Sequence, residues 1–184
     1  MQTIKSQNES PTPRWKDSPQ LWALRSACIN NSIDLLKESK ILYKHRKYAR
    51  AVTLAYTAYE EFGKGQIVSD YITGVASEKE IRDAFRSHGL KTSYNQRKIV
   101  IHVNKDAPPT ATVEYDESKA TELFKMRMDS LYVDCAGDFT PSIPKQVINF
   151  KVAKEAIAGV ERYIGHVLWM EKFNERIGTK ALAK

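Results

Sequence analysis

The sequence predicts an all-α fold, a single bundle of about five helices, and three observations carry that reading. Apolar residues recur at three- and four-residue steps over long segments, the period of an amphipathic helix. Helix start and stop signals bound those segments. The chain is 184 residues long, 42% hydrophobic and 28% charged, enough to bury one core and too short to argue for two.

Residues 1–17 are polar, contain Pro11 and Pro13 and show no apolar period, which predicts a disordered, flexible N-terminal tail. Folded structure is expected from Ser18, whose hydroxyl suits a helix N-cap, with Pro19 supplying a pre-set φ where no amide donor is needed. Leu21, Leu24, Cys28, Leu35 and Leu42 carry a first helix to about Tyr43. The cluster Lys44, His45, Arg46 and Lys47 makes the next turn, read as a solvated corner in preference to a binding patch. From about Tyr48 to Ile72, Ala51, Leu54, Ala58, Glu61, Gly65, Val68 and Ile72 form one stripe, and Tyr48, Val52, Ala55, Tyr59 and Phe62 a second. Two adjoining stripes place this helix at the centre of the bundle, with Ala51, Ala58 and Gly65 admitting a close neighbour.

Gly74 closes the second helix, and Ser77 and Glu80 read as a capping box opening a third. Ile81, Phe85 and His88 share a face of it, while Gly89 leaves its end open, at His88 or as far as Arg97. The β-branched run from Lys98 to Val103 fits a short strand or a helix tail, and periodicity does not decide. Pro108 and Pro109 then break the chain, leaving a connection to about Asp116. Ala120, Leu123, Phe124, Leu131 and Tyr132 define a fourth helix up to the Asp134 region, and Gly137, Pro141 and Pro144 mark a loop. Phe150, Ala153, Ile157, Val160, Ile164, Val167 and Leu168 define a long last helix finishing near Gly178. One domain is therefore expected over residues 18–178, with a C-terminal tail at 179–184.

The formal net charge is +7, which favours anionic partners, nucleic acid first. Residues 78–105 hold seven basic and three acidic residues, whereas 106–144 hold three basic and eight acidic, so an RNA backbone would be met on the third helix. Cys28 and Cys135 stand in no metal-ligand spacing and fit a reducing cytosol. Neither a signal peptide nor a membrane span is apparent, so a soluble, cytoplasmic protein is expected. The chain has no Gly-rich phosphate loop, Cys/His zinc cluster, Gly-x-Ser-x-Gly elbow or His-Glu-x-x-His, so no metal or cofactor is expected.

Polar residues at apolar positions remain. Glu61 shares a stripe with Ala58 and Gly65 and is expected to meet a partner on another helix, since an isolated buried carboxylate is too costly. Glu60, about a hundred degrees round, reads as an i,i+4 surface pair with Lys64. His88 alone suits a core histidine, yet Arg82 and Arg86 precede it and Lys91 follows. An imidazole among cations able to hold phosphate oxygens could run RNA cleavage without a metal, the histidine moving the proton and the arginine stabilising the phosphorane. Tyr132 could stack a base and Asp134 orient a histidine, although a packed tyrosine with a capped hydroxyl is the plainer reading.

The segments Ala27-Cys28-Ile29-Asn30-Asn31-Ser32, Tyr48-Ala49-Arg50-Ala51 and Ala58-Tyr59-Glu60-Glu61-Phe62-Gly63-Lys64 occur in that order. Phe85-Arg86-Ser87-His88-Gly89-Leu90-Lys91 and Ser130-Leu131-Tyr132-Val133-Asp134 follow, with Pro144 beyond. Together, over residues 20 to 168, the chain resembles the AbiV family of abortive infection proteins. The resemblance implies a HEPN-like helical bundle that dimerises, metal-independent endoribonuclease activity, and toxin-like antiphage defence acting on RNA or translation. It also admits a phage-encoded activator. The HEPN signature of an arginine, four to six residues and a histidine is met by Arg82 and His88, with Asp83 as the polar residue after the arginine. Gly89 departs from the nuclease pattern, in which an ordered helix follows the histidine. The resemblance thus leaves two readings: a cutting toxin with His88 and Arg82 catalytic and Glu60, Glu61, Lys64, Arg86, Lys91, Tyr132 and Asp134 supporting, or a non-catalytic effector that binds a protein or ribonucleoprotein.

Overall fold

A computed structural model describes residues 18–104, 107–115 and 117–182; the expected N-terminal tail lies outside them. The fold is all-α, built around two long antiparallel helices, α1 (Pro19–Lys44) and α2 (Tyr48–Ile72), which make the most extensive helix pair in the molecule. Ser18 stands at the N-cap with extended backbone and Pro19 follows at the first helical position, but the Ser18 hydroxyl donates to Gln20 Oε1 instead of accepting from an end amide. Gly74, at φ 79°, ends α2 in a Schellman turn, with its N–H on the Tyr71 carbonyl and that of Val75 on the Asp70 carbonyl. The Ser77–Glu80 capping box is formed from both sides and opens α3 (Glu78–Arg86).

The centre of the bundle is α2. Ala51, Val52, Ala55, Ala58, Phe62 and Val68 are wholly buried on it, and burying an aliphatic or aromatic side chain contributes about 1.5–3 kcal/mol each. Ile29 and Leu36 of α1 and Ala153, Ile157, Val160 and Ile164 of α7 (Phe150–Leu182) close the main core. Ile67, Val68 and Ile72 form a second cluster with Ile81 and Ala84 of α3. Gly65 lies where a Cβ would press on Ile29 Cγ1 at 2.9 Å, the close approach expected of a small residue.

Several expectations are corrected. The third helix ends at Arg86; Ser87 is extended, and a separate helix α4 (His88–Asn95) begins at His88, so His88 does not share a helical face with Ile81 and Phe85. Gly89 therefore falls in the first turn of an ordered helix. The run after it is a strand, β1 (Arg97–Asn104), paired antiparallel with β2 (Ala107–Tyr115) from Arg97↔Tyr115 to His102↔Thr110 and then Asn104↔Ala107. The register shift between those last pairs sets Pro108 and Pro109 opposite Val103, so the prolines occupy a bulge where no ladder amide is required. The expected connection is thus half of a hairpin. Helix α5 (Glu117–Leu131) stops short of Tyr132. A two-residue pairing of β3 (Asp134–Cys135) with β4 (Pro141–Ser142) and the one-turn α6 (Pro144–Val147) replace the expected loop. Helix α7 continues to Leu182, beyond the predicted end near Gly178.

Candidate active site

The site is assembled where α4 and α5 meet the middle of α2. Tyr56, Glu60 and Gly63 recur at four- and three-residue steps and present one buried face of α2. A Cβ on Gly63 would collide with the Lys91 carbonyl oxygen and the Asn95 amide, so glycine at this position is what lets α4 lie against α2. Asn95 Nδ2 donates to the Tyr59 carbonyl at 2.6 Å and the Tyr163 hydroxyl donates to Asn95 Oδ1 at 3.3 Å, pinning the far end of α4 to α2 and α7. Gln96 donates to the Tyr59 hydroxyl, whose acidity burial suppresses strongly.

The near end of α4 is held by His88, whose Nδ1 lies 2.8 Å from Glu60 Oε2. The carboxylate is 6% exposed and the imidazole 49%. A hidden acceptor thus orients a ring that solvent can reach, and a carboxylate on Nδ1 selects the tautomer whose Nε2 carries the lone pair. Glu60 Oε1 lies 3.5 Å from Arg127 Nε of α5, a buried atom with no hydrogen-bond acceptor among the described residues. Lys91, one turn after His88, is buried, and burial, with the neighbouring Lys64 cation, holds its ammonium below the ordinary lysine range; Glu60 and Glu61 oppose the shift and Arg127 adds to it. Lys64 pairs with Glu61 and stands 5.5 Å over the Phe85 ring. The cluster holds two carboxylates, three fixed cations and one half-exposed imidazole, a combination suited to proton transfer beside an anion.

Of the residues singled out from sequence, Glu60, Glu61, Lys64, His88 and Lys91 come together here. The two glutamates exchange roles: Glu60 is buried and partnered across helices, while Glu61 takes the local pair with Lys64, at i,i+3 instead of the expected Glu60–Lys64 pair. Arg82 is exposed on α3, with Nη2 and Nε 2.6 and 3.1 Å from Glu78 Oε1. Arg86 is exposed at the last turn of α3. Tyr132 is 55% exposed beyond α5, and Asp134 accepts from the Cys135 amide within the small β3–β4 pairing, so the carboxylate on His88 is Glu60 and not Asp134. Arg127 went unnoticed in the sequence. Its signal was available, because Ala120, Leu123, Arg127 and Ser130 share one face of α5, the same charged-residue-on-an-apolar-stripe pattern that drew attention to Glu61.

Among the described residues no group of three or more His, Cys, Asp or Glu could hold a metal ion, and no helix is long and apolar enough to cross a membrane. A family model described as AbiV, of HEPN type, matches residues 20–165. No curated protein and no solved structure matches the chain.

Proposed function

The chain belongs to the AbiV family and is an abortive-infection-type HEPN protein, and on that premise we propose that it is a cytoplasmic antiphage toxin that cuts RNA without a metal. The observation that carries this reading is the pair of buried Glu60 and half-exposed His88. With Nδ1–H on Glu60, His88 Nε2 takes the proton of a ribose 2′-hydroxyl as that oxygen bonds the adjacent phosphorus. The bond to the 5′-oxygen then breaks, that oxygen takes back the proton now on His88 Nε2, and the products carry a 2′,3′-cyclic phosphate and a 5′-hydroxyl, with His88 returned to its starting state. Lys91, Lys64 and Arg127 supply the positive potential in which the phosphorane's charge develops. Arg82 and Arg86 meet the strand from α3; the Arg82–Glu78 pair is exposed and screened, so a phosphate can displace it.

The cellular consequence would be arrest of translation through an RNA or ribosome-associated target. The active form would be a homodimer, and a phage-encoded protein would activate it. The bonding of Arg82 to Glu78 of its own helix, instead of to the His88–Glu60 pair, favours a second reading, a non-catalytic effector that blocks translation by binding a protein or ribonucleoprotein. The test is incubation of wild-type and His88→Ala protein with total RNA and tRNA in EDTA, with end-group analysis. Cleavage by wild type alone, with cyclic-phosphate ends, is expected. Intact RNA together with undiminished toxicity of His88→Ala in cells would select the effector.

A further inference from the structure

The corner between α1 and α2 gathers several basic side chains around one cavity without an acid among them. Lys37, Lys40, Lys64, Arg25 and Arg82 each pair with a carboxylate. Arg46, Lys47, Arg50 and Lys145 pair with none among the described residues, yet all four line one cavity of about 810 Å³ that no Asp or Glu lines. Its volume lies in the range of sites for small ligands. The N-terminus of α2 opens on it with no capping side chain and no acid in its first turn. Its apolar wall includes Tyr48 and Phe150, which with Tyr43 make three mutual ring contacts at 5.6–6.1 Å, and Phe150 remains 53% exposed.

Arg46 adds a backbone argument. Its N–H bonds the Tyr43 carbonyl and that of Lys47 bonds the Leu42 carbonyl, so α1 ends in a Schellman turn with Arg46 at the left-handed position, φ 59°. Glycine is the residue that fits there without strain, as Gly74 does at the end of α2. Arginine at this position accepts strain that glycine would avoid.

We propose that this corner is a subsite for a phosphorylated nucleoside of a single-stranded RNA, with phosphates on Arg46, Lys47, Arg50 and Lys145 and a base stacked on Phe150. Uncompensated cations around an exposed aromatic platform are the chemistry by which unpaired strands are held. The subsite shares α2 with the site described above: Arg50 and Glu60, which holds His88, are ten residues apart, about 15 Å along the helix axis, a distance of a few nucleotides. The proposal rests on the reading that the ligand is RNA and not on cleavage.

The experiment measures fluorescence anisotropy of a labelled uridine decamer with His88→Ala protein, which removes turnover, alone and combined with Arg46→Gly or Phe150→Ala. Arg46→Gly relieves the strained turn, so its melting temperature is expected to be unchanged or higher while the slope of log affinity against log salt falls by ~0.7, one phosphate contact on a single strand. Phe150→Ala is expected to weaken binding at least ~5-fold, the loss of one stacked base. Unlabelled uridine monophosphate identifies the source: displacement only at large excess marks a strand subsite, and displacement at stoichiometric levels a free-nucleotide site. Absence of decamer binding, or affinity and salt slope unchanged in both variants, overturns the proposal. Cleavage by wild type that survives both substitutions at full rate with unaltered binding removes the subsite and leaves the nuclease reading; RNA bound through the corner but never cut does the reverse.

Discussion

A carboxylate as buried as Glu60 needs partners, and its partners are unequal: His88 is bonded to it and half in water, while Arg127 is 15% exposed with a buried Nε that has no hydrogen-bond partner among the described residues. Removing the carboxylate therefore leaves the buried Nε of Arg127, as well as a histidine, without its neighbour. Glu60→Ala is expected to destabilise the fold by about 1–3 kcal/mol, the cost of an unsatisfied buried group. Glu60→Ala combined with Arg127→Met is expected to cost less than the two singles together, by a coupling of about 0.5–3 kcal/mol in urea titrations. Strictly additive losses would mean that Arg127 is held by something other than Glu60. The sequence pointed to this neighbourhood but chose the wrong glutamate, for a physical reason. Helix α2 is apolar on two adjoining stripes, so Glu60 and Glu61, a hundred degrees apart, both border buried surface, and only the position of α4 decides which is covered.

That position depends on one residue with no side chain. Gly63 is where the backbone of α4 passes over α2, and a methyl group there meets the Lys91 carbonyl, which belongs to a helix and cannot swing aside. Gly63→Ala is expected to cost about 1–3 kcal/mol by overpacking and to displace His88 from Glu60, so that any RNA cleavage falls with the melting temperature. Gly165→Ala on α7 is the control: a Cβ there meets nothing within 4 Å, and relief of glycine's entropy in a helix should stabilise by up to about 1 kcal/mol. Equal effects of the two substitutions would show that helix propensity, not the close approach, governs Gly63. Helix ends were legible in the sequence wherever local chemistry decides them, at Pro19, Gly74 and the Ser77–Glu80 box. The break at Ser87 and the β1–β2 hairpin were not. Ser87 carries no breaker signature, and the second strand lies behind two prolines that read as a stop until a bulge removes their amides from the ladder.

At the scale of the molecule, the all-α bundle and its central helix followed from periodicity alone, but how copies of the chain would associate did not. Two surfaces are candidates, the small-residue stripe of α2 and the long last helix. The first is spent within the subunit: Ala51 and Ala58 are wholly buried and Gly65 packs on Ile29. The second remains open, since α7 exposes Trp169 and Met170, with Trp169 stacked on His166 at 6.3 Å. Large apolar side chains in the centre of an interface contribute disproportionately to its energy, and a charge placed there without a partner opposes association strongly. In a two-fold dimer the same residue sits on both copies, so one substitution acts twice. Light scattering at micromolar concentration is therefore expected to give twice the chain mass for wild type and the chain mass for Trp169→Glu, whose melting temperature should match that of wild type diluted to monomer. A wild-type monomer removes the homodimer from the proposed function. A Trp169→Glu dimer keeps the homodimer and moves its interface off this stretch of α7.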